Sequence, residues 1–289
     1  MKYFITGANG FVGKELIKIL KKRGIKYKGI DTSNEISKNV KKIDIRNSSL
    51  HKFIPKGSIV IHLAGVIKPY ICKNYPIKAM DINLNGTINL IKSSEKKNVK
   101  KFIFASSEWI YGETHNNKII NEKNKIDIES IKSEYALSKI YGENFVKLSD
   151  KIKQKIILRF GIIYGARQGK DLSALESLYH DVKSKKVITI GSKKTARKFV
   201  HVSDLAEAIY LASKYKKNDE FNITGDQLIR LDQIINLAAK KLGKKIFIYE
   251  KNKNKPNIRN VSNSKAKKFL KWKLKYNLNR AINELKEFS

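Results

Sequence analysis

The run Thr6-Gly7-Ala8-Asn9-Gly10-Phe11-Val12-Gly13 follows directly on the apolar stretch Tyr3-Phe4-Ile5, and it narrows the possible fold more than any other feature. It reads as a short buried strand entering a glycine-rich turn. A helix then opens with Val12, Leu16, Ile17 and Leu20 on one face. Gly7 permits a tight turn, Gly10 lets a diphosphate reach the backbone, and Gly13 lets the helix pack close to the strand. Asn9, Phe11 and Val12 complete that loop. The helix N-terminus offers unpaired N–H groups and the positive end of a dipole to phosphates. A plain βα turn also uses glycines, so the rest of the site must be sought elsewhere.

The chain supplies it in the expected place. Tyr27-Lys28-Gly29-Ile30 reads as the second strand, closed by Asp31, 18 residues beyond Gly13. A carboxylate there accepts hydrogen bonds from the ribose hydroxyls of NAD and repels the 2′-phosphate of NADP. No arginine follows in Thr32-Ser33-Asn34 to welcome that phosphate. On the next short strand, Asp44 is placed to reach the adenine amino group, with Ile45 beside it. Either aspartate also serves as an ordinary strand-end residue.

Strands and helices alternate through the first part: strand 58–63, helix 79–96, strand 101–105, helix 135–148, strand 155–160. That order implies an α/β fold with a doubly wound parallel sheet, ligands binding at the carboxyl ends of the strands. Residues 1–165 read as a dinucleotide-binding domain to which 200–226 return. Residues 166–199 and 227–289 read as a smaller mixed α/β substrate region.

At 289 residues and 41% hydrophobic content, the chain can bury a sizeable core. Its longest apolar run, 59–67, is too short to span a bilayer, and Met1-Lys2-Tyr3 leads straight into the first strand. With Cys72 the single cysteine, no internal disulfide forms, which suits a cytoplasmic location. The formal charge of +35 raises nucleic-acid binding as a possibility. Only eight of the 61 basic residues are Arg, however, and the lysines spread over nearly every stretch. This pattern reads as solvated surface charge, without a nucleic-acid partner or membrane insertion.

The chemistry concentrates further along. The strand 101–105 runs into Ser106-Ser107, and Tyr135-Ala136-Leu137-Ser138-Lys139 puts a phenol and an ammonium at i and i+4 of a helix, on one face. A phenol with pKa about 10 needs roughly 4 kcal/mol of anion stabilisation to lose three units. A neighbouring ammonium and a positive nicotinamide ring are suited to supply it. Tyr135 then serves as general acid/base while a hydride moves, with Ser107 hydrogen-bonding the same oxygen.

At this point the chain resembles the extended short-chain dehydrogenases/reductases, the branch of NAD-dependent nucleotide-sugar epimerases and dehydratases. The resemblance covers essentially the whole chain. It rests on Thr6 to Gly13, His62-Leu63-Ala64-Gly65, Asn83-Leu84-Asn85-Gly86-Thr87, Ser106-Ser107 with Tyr111-Gly112, and Tyr135/Lys139. Arg159 leading to Tyr164-Gly165, Arg197 to Asp204, and Asn222-Ile223 continue it. It implies a Rossmann-type fold, NAD as cofactor, and Ser107, Tyr135 and Lys139 as the catalytic set. Leu63, Ala64 and Gly65 would line the cofactor groove, and Asn83 would help hold the active-site helix. On the same basis Ser107, Glu108, Trp109, Arg167, Arg197 and Arg259 would face the substrate, Arg197 gripping its diphosphate. His62 and His201 read as structural.

Departures from the family pattern narrow the reaction. Ser107 is followed by Glu108 and Trp109 instead of the Asp-Glu pair of the 4,6-dehydratases, which argues against dehydration. The expectation is an NAD-dependent epimerase acting on a nucleotide-diphosphate sugar through a transient 4-keto sugar. An NAD(P)H-dependent 4-ketoreductase is the alternative, and an RNA-binding or regulatory protein on the same fold a distant one. The resemblance also implies a homodimer built on the helices near 79–96 and 135–148.

Overall fold

The structure, a computed structural model, describes residues 2–114, 116–167 and 172–288. In chain order the strands are β1 (Tyr3–Thr6), β2 (Tyr27–Asp31), β3 (Val40–Lys42), β4 (Ile59–His62), β5 (Lys101–Ser107), β6 (Ile119–Ile120) and β7 (Gln154–Phe160). There follow β8 (Ile162–Tyr164), β9 (Val187–Ile190), β10 (Ala196–His201), β11 (Asp219–Ile223), β12 (Leu228–Arg230), β13 (Phe247–Glu250) and β14 (Asn260–Val261). The chain divides into two compact units, one of residues 1–112, 125–159 and 206–221, the other of 113–124, 160–205 and 222–289.

The first unit is built on a seven-stranded sheet in the order β11-β7-β5-β4-β1-β2-β3. The pairs β1–β2, β1–β4, β2–β3 and β4–β5 all run parallel. Every residue of β1, β4 and β5 is buried. Such continuous burial is what helices on both faces of a parallel sheet produce. The helix Phe11–Lys22 buries Gly13, Leu16, Ile17 and Leu20, the stripe its sequence spacing demands. Phe4, Ile30, Val60, Leu90, Phe102 and Val146 meet in one core.

One expected helix is more elaborate than its sequence suggests. It starts at Pro76, and a π turn over Asp81–Asn85 interrupts it before Gly86–Lys96. The wider turn buries the Asn83 side chain, the kind of local irregularity often found at working sites.

The second unit differs in its bounds from the expected substrate region. Segment 113–124 belongs to it because β6 pairs with β14, and residues 160–165 and 222–226 belong to it as well. The segment that returns to the first unit is 206–221. β10 pairs parallel with β8 and antiparallel with β12, while β9 and β13 form a separate parallel pair. Helices Ala174–Ser184, Leu231–Leu242 and Leu278–Phe288 contribute Leu175, Tyr179, Ile234, Ile235 and Ile282 to its core. Asp204 organises the C-terminal chain. Its carboxylate accepts the backbone N–H groups of Lys275 and Tyr276 (3.0–3.1 Å), and its carbonyl accepts the indole N–H of buried Trp272 (2.8 Å).

Candidate active site

The glycine turn is as tight as its sequence requires. Gly7 sits at φ +68°, and a Cβ there would lie 2.8 Å from the backbone nitrogen of Ala64. A Cβ on Gly13 would lie 2.2 Å from the Gly7 carbonyl oxygen. Both contacts are with backbone, so neither neighbour can swing away. Gly10 is the N-cap of the first helix; no side chain caps it and no acidic residue occupies its first turn. No residue of the helix itself therefore neutralises its positive end, the arrangement that binds phosphate.

Asp31 sits across from this turn. Its carboxylate accepts the backbone N–H of Asn9 (3.0 Å) and of Ser33 (2.9 Å). The Asn9 side-chain amide closes the loop on the Ser33 hydroxyl and the Glu35 carbonyl. A carboxylate has about four acceptor positions, so capacity for two ribose hydroxyls is left. The collisions any Cβ would make in the turn, the uncapped helix end and this fixed acceptor all fit NAD.

Farther along the groove the structure adds detail. Arg46 grips the Asp44 carboxylate at both oxygens (2.6 and 3.0 Å), reaches Asp81 at 2.6 Å, and holds Asp44 below the usual carboxylate range. Asp44 would thus meet an adenine as half of an ion pair, a feature not read from the sequence. The Ile45 side chain packs into the core, leaving only its backbone available to a ligand. Leu63, Ala64 and Gly65 lie half-buried after β4, with the Ala64 N–H donating to the Thr6 hydroxyl. The amide of Asn83 bonds both backbone groups of Val66 and the Ser138 hydroxyl, tying this segment to the helix that carries Tyr135 and Lys139. His62 lies between Thr6 and Thr87, and burial pushes its pKa down to about 3, so it stays neutral and structural.

Ser107 ends β5, and Tyr135 lies in the first turn of the helix Glu134–Leu148, which Ser133 caps. The Ser107 hydroxyl stands near enough to Tyr135 to favour the ionised phenol, and it accepts the backbone N–H of Trp109 at 3.3 Å. Lys139 is buried, donates to the Ala105 carbonyl at 2.9 Å, and stands 5.8 Å from the Tyr135 ring centre. Trp109 packs edge-on against Tyr135 with ring centres 6.4 Å apart. In the protein alone, the ammonium by itself does not lower the phenol. Burial pushes Tyr135 up to about 12 despite the nearby Ser107 hydroxyl, and pulls Lys139 down to about 8. Desolvation of both groups outweighs their proximity.

Glu108 is wholly buried by the short 3₁₀ turn Glu108–Tyr111. In the second unit, Arg197 and Arg259 come together although 62 positions separate them. Ala196 bridges Ile258, the Arg259 N–H donates to the Ala196 carbonyl, and Arg197 donates to the carbonyls of Ala196 and Asn257. Arg167 is bound to buried Glu176 at 2.7 Å. His201 stacks on Tyr276 at 3.6 Å and contacts Glu284 at 3.0 Å, consistent with a structural role. Gln168, which follows Arg167, lies outside the described residues. Among those described, no group of three or more His, Cys, Asp or Glu is placed to hold a metal ion, and no helix is long and apolar enough to cross a membrane.

A parallel α/β sheet with this turn and a Ser/Tyr/Lys constellation defines a dinucleotide-dependent enzyme of the short-chain dehydrogenase/reductase kind. The chain belongs to the NAD dependent epimerase/dehydratase family, whose profile matches residues 3–224. NAD is its cofactor. A Methanocaldococcus jannaschii protein provisionally named a UDP-glucose 4-epimerase is 30% identical over 98% of this chain and 97% of its own length. The dTDP-4-dehydro-6-deoxyglucose reductase of Escherichia coli is 29% identical over 84% of this chain and 83% of its own. The Thermotoga maritima UDP-glucose 4-epimerase crystallised with UDP-glucose shares the fold at a TM-score of 0.86 and 23% identity, covering 100% of this chain and 98% of the other.

Proposed function

We propose that the protein is an NAD-dependent epimerase of a nucleotide-diphosphate sugar, working through a transient 4-keto sugar. The observation that carries this reading is buried Lys139, whose ammonium stands 5.8 Å from the Tyr135 ring centre and donates to the Ala105 carbonyl two residues before Ser107. The names of the relatives support the substrate class. Bound NAD would accept and return the hydride and bring a second positive charge near the phenol.

The protein's own residues do the rest. Tyr135 takes the proton of the sugar's C4 hydroxyl, with Ser107 hydrogen-bonding the same oxygen. The keto sugar then turns over and is reduced on its other face as Tyr135 gives the proton back. Bringing the phenol from about 12 to neutrality takes about 7 kcal/mol at 1.36 kcal/mol per unit, more than a single ammonium offers. The pairing of Lys139 with a cationic cofactor therefore matters, and Lys139 keeps its charge below about pH 8. Trp109 offers a flat apolar wall, and the guanidinium forks of Arg197 and Arg259 suit a diphosphate.

Purified protein supplied with UDP-, GDP-, CDP- and dTDP-sugars tests the reading. Tightly held nicotinamide and interconversion of sugars without net change in reduced cofactor are expected. Stoichiometric consumption of reduced nicotinamide would instead establish a 4-ketoreductase, the reading that the Escherichia coli relative favours.

The same proposal includes a homodimer and a cytoplasmic location. Ile77 and Leu148 are 87% and 72% exposed, and Tyr141 and Phe145 also project from the helices expected at the interface. An apolar helix face of this kind marks a contact surface. Sizing at micromolar concentration should give twice the chain mass of 33.1 kDa; a monomer would refute the dimer.

A further inference from the structure

We propose that the buried Glu143–Arg159 ion pair is the positioning element of the reaction site, fixing Ser107, Tyr135 and Lys139 relative to one another. This rests on the reading of Tyr135 and Lys139 as the acid/base pair. Both side chains are only 2–3% exposed. Arg159 Nε and Nη2 donate to Glu143 Oε1 and Oε2 at 3.0 and 2.9 Å, fork against fork. The Ser106 hydroxyl donates to Glu143 Oε1 at 2.5 Å, and Arg159 Nη1 donates to the Tyr111 hydroxyl at 2.9 Å.

Each arm of this cluster comes from a piece of chain that carries a reacting or ligand-facing group. Glu143 follows Lys139 by one helical turn and Tyr135 by two. Ser106 immediately precedes Ser107. Tyr111 closes the 3₁₀ turn that bears Trp109. On the outer side, Glu220 lies 3.9 Å from Arg159 and 3.0 Å from Lys147, and Lys147 is 4.0 Å from Glu143. A buried ion pair seldom stabilises a protein more than apolar packing of the same volume. Its directional bonds do restrict geometry, and here they join β5, the turn after it and the catalytic helix.

Glu143 has a second effect, through charge. Around Lys139 are the Ala105 carbonyl, the rings of Tyr135 and Phe104, neutral His62 from β4, and the Cys72 thiol from the helix Pro69–Asn74. Burial lowers the Lys139 pKa, whereas Cys72 and Glu143 raise it. Neutralising Glu143 moves loss of the ammonium further into the neutral range.

The test uses the full-length protein with NAD and its sugar substrate. Glu143→Gln leaves a buried guanidinium without its counter-charge, so the double variant Glu143→Gln/Arg159→Met, which removes both charges, is made as well. In the double variant we expect NAD Kd and substrate KM within about 3-fold of the parent and kcat lower by about 30-fold, as for modest misplacement of reacting groups. In Glu143→Gln alone, where the Arg159 charge stays, the alkaline limb of kcat should begin about one pH unit earlier. An unmoved alkaline limb would overturn the proposal, and so would parallel loss of kcat and NAD affinity. A double variant that does not fold would make the pair a requirement of the fold and overturn it equally. If Tyr135→Phe keeps full activity, the acid/base reading itself has failed, independently of any Glu143 variant.

Discussion

The two ends of β5 hold the same kind of group in opposite roles. At its start, Lys101 is buried and donates its ammonium hydrogens to the carbonyls of Ser213 and Tyr215 at 2.6 and 2.5 Å, at the end of the helix Val202–Lys214. Past its other end, buried Lys139 donates to the carbonyl of Ala105 beside Tyr135. Burial lowers both lysines to about 8. A depressed pKa is therefore no mark of function here; the neighbours decide. Lys101 meets the negative end of a helix and acts as a cap. Lys139 meets a phenol at the carboxyl end of a parallel sheet, where α/β proteins place their chemistry.

The sharpest way to break this comparison is to disable each end in turn. Tyr135→Phe should lower turnover by about 10²–10⁴-fold, the usual contribution of a positioned acid/base. NAD binding, followed by titration, should remain unchanged, and Lys101→Met should keep turnover per folded molecule within about 2-fold of the parent. If both variants lost activity alike, the assignment of roles to the two ends would be wrong. Ser107→Ala should be milder, about 10-fold in kcat with KM little changed, because one hydrogen bond is lost while Tyr135 remains.

Stability separates the ends in the other direction. Lys101→Met leaves two buried carbonyls without their donor and should reduce unfolding free energy by about 1–3 kcal/mol, measured in denaturant. The smallest expected effect is a slope with pH. A lysine with pKa about 8 when folded and about 10.5 when unfolded binds fewer protons in the native state between those values. Unfolding free energy should thus rise from about pH 8 toward pH 10, and Lys101→Met should make that rise shallower. An unchanged slope would mean that Lys101 is not desolvated in solution.

Features governed by short spacing are legible in the amino-acid order alone. The glycine turn, the helix stripe Leu16-Ile17-Leu20 and the common face of Tyr135 and Lys139 follow from backbone sterics and the 3.6-residue period. Asp31 at the end of β2 follows from the length of one βα unit. Less is legible where partners are distant in sequence. Nothing near Arg46 shows that it would hold Asp81, 35 positions away, together with Asp44. Glu143 does carry a signal, falling at i+4 from Lys139 on the same helix face, but nothing local indicates that Arg159 would meet it.

By itself, then, the sequence determined the order of strands and helices, the tight turn and the placement of chemically able groups on their own elements. Those outcomes depend on φ/ψ preferences and periodicity within a dozen residues. Tertiary structure alone decided that Arg197 lies beside Arg259, that Glu108 is buried, and that segment 113–124 joins the second unit through β6 and β14. It also decided that burial raises Tyr135 further above the ordinary phenol range. Burial and long-range pairing set the cost of each charge, and neither exists until the chain has closed on itself.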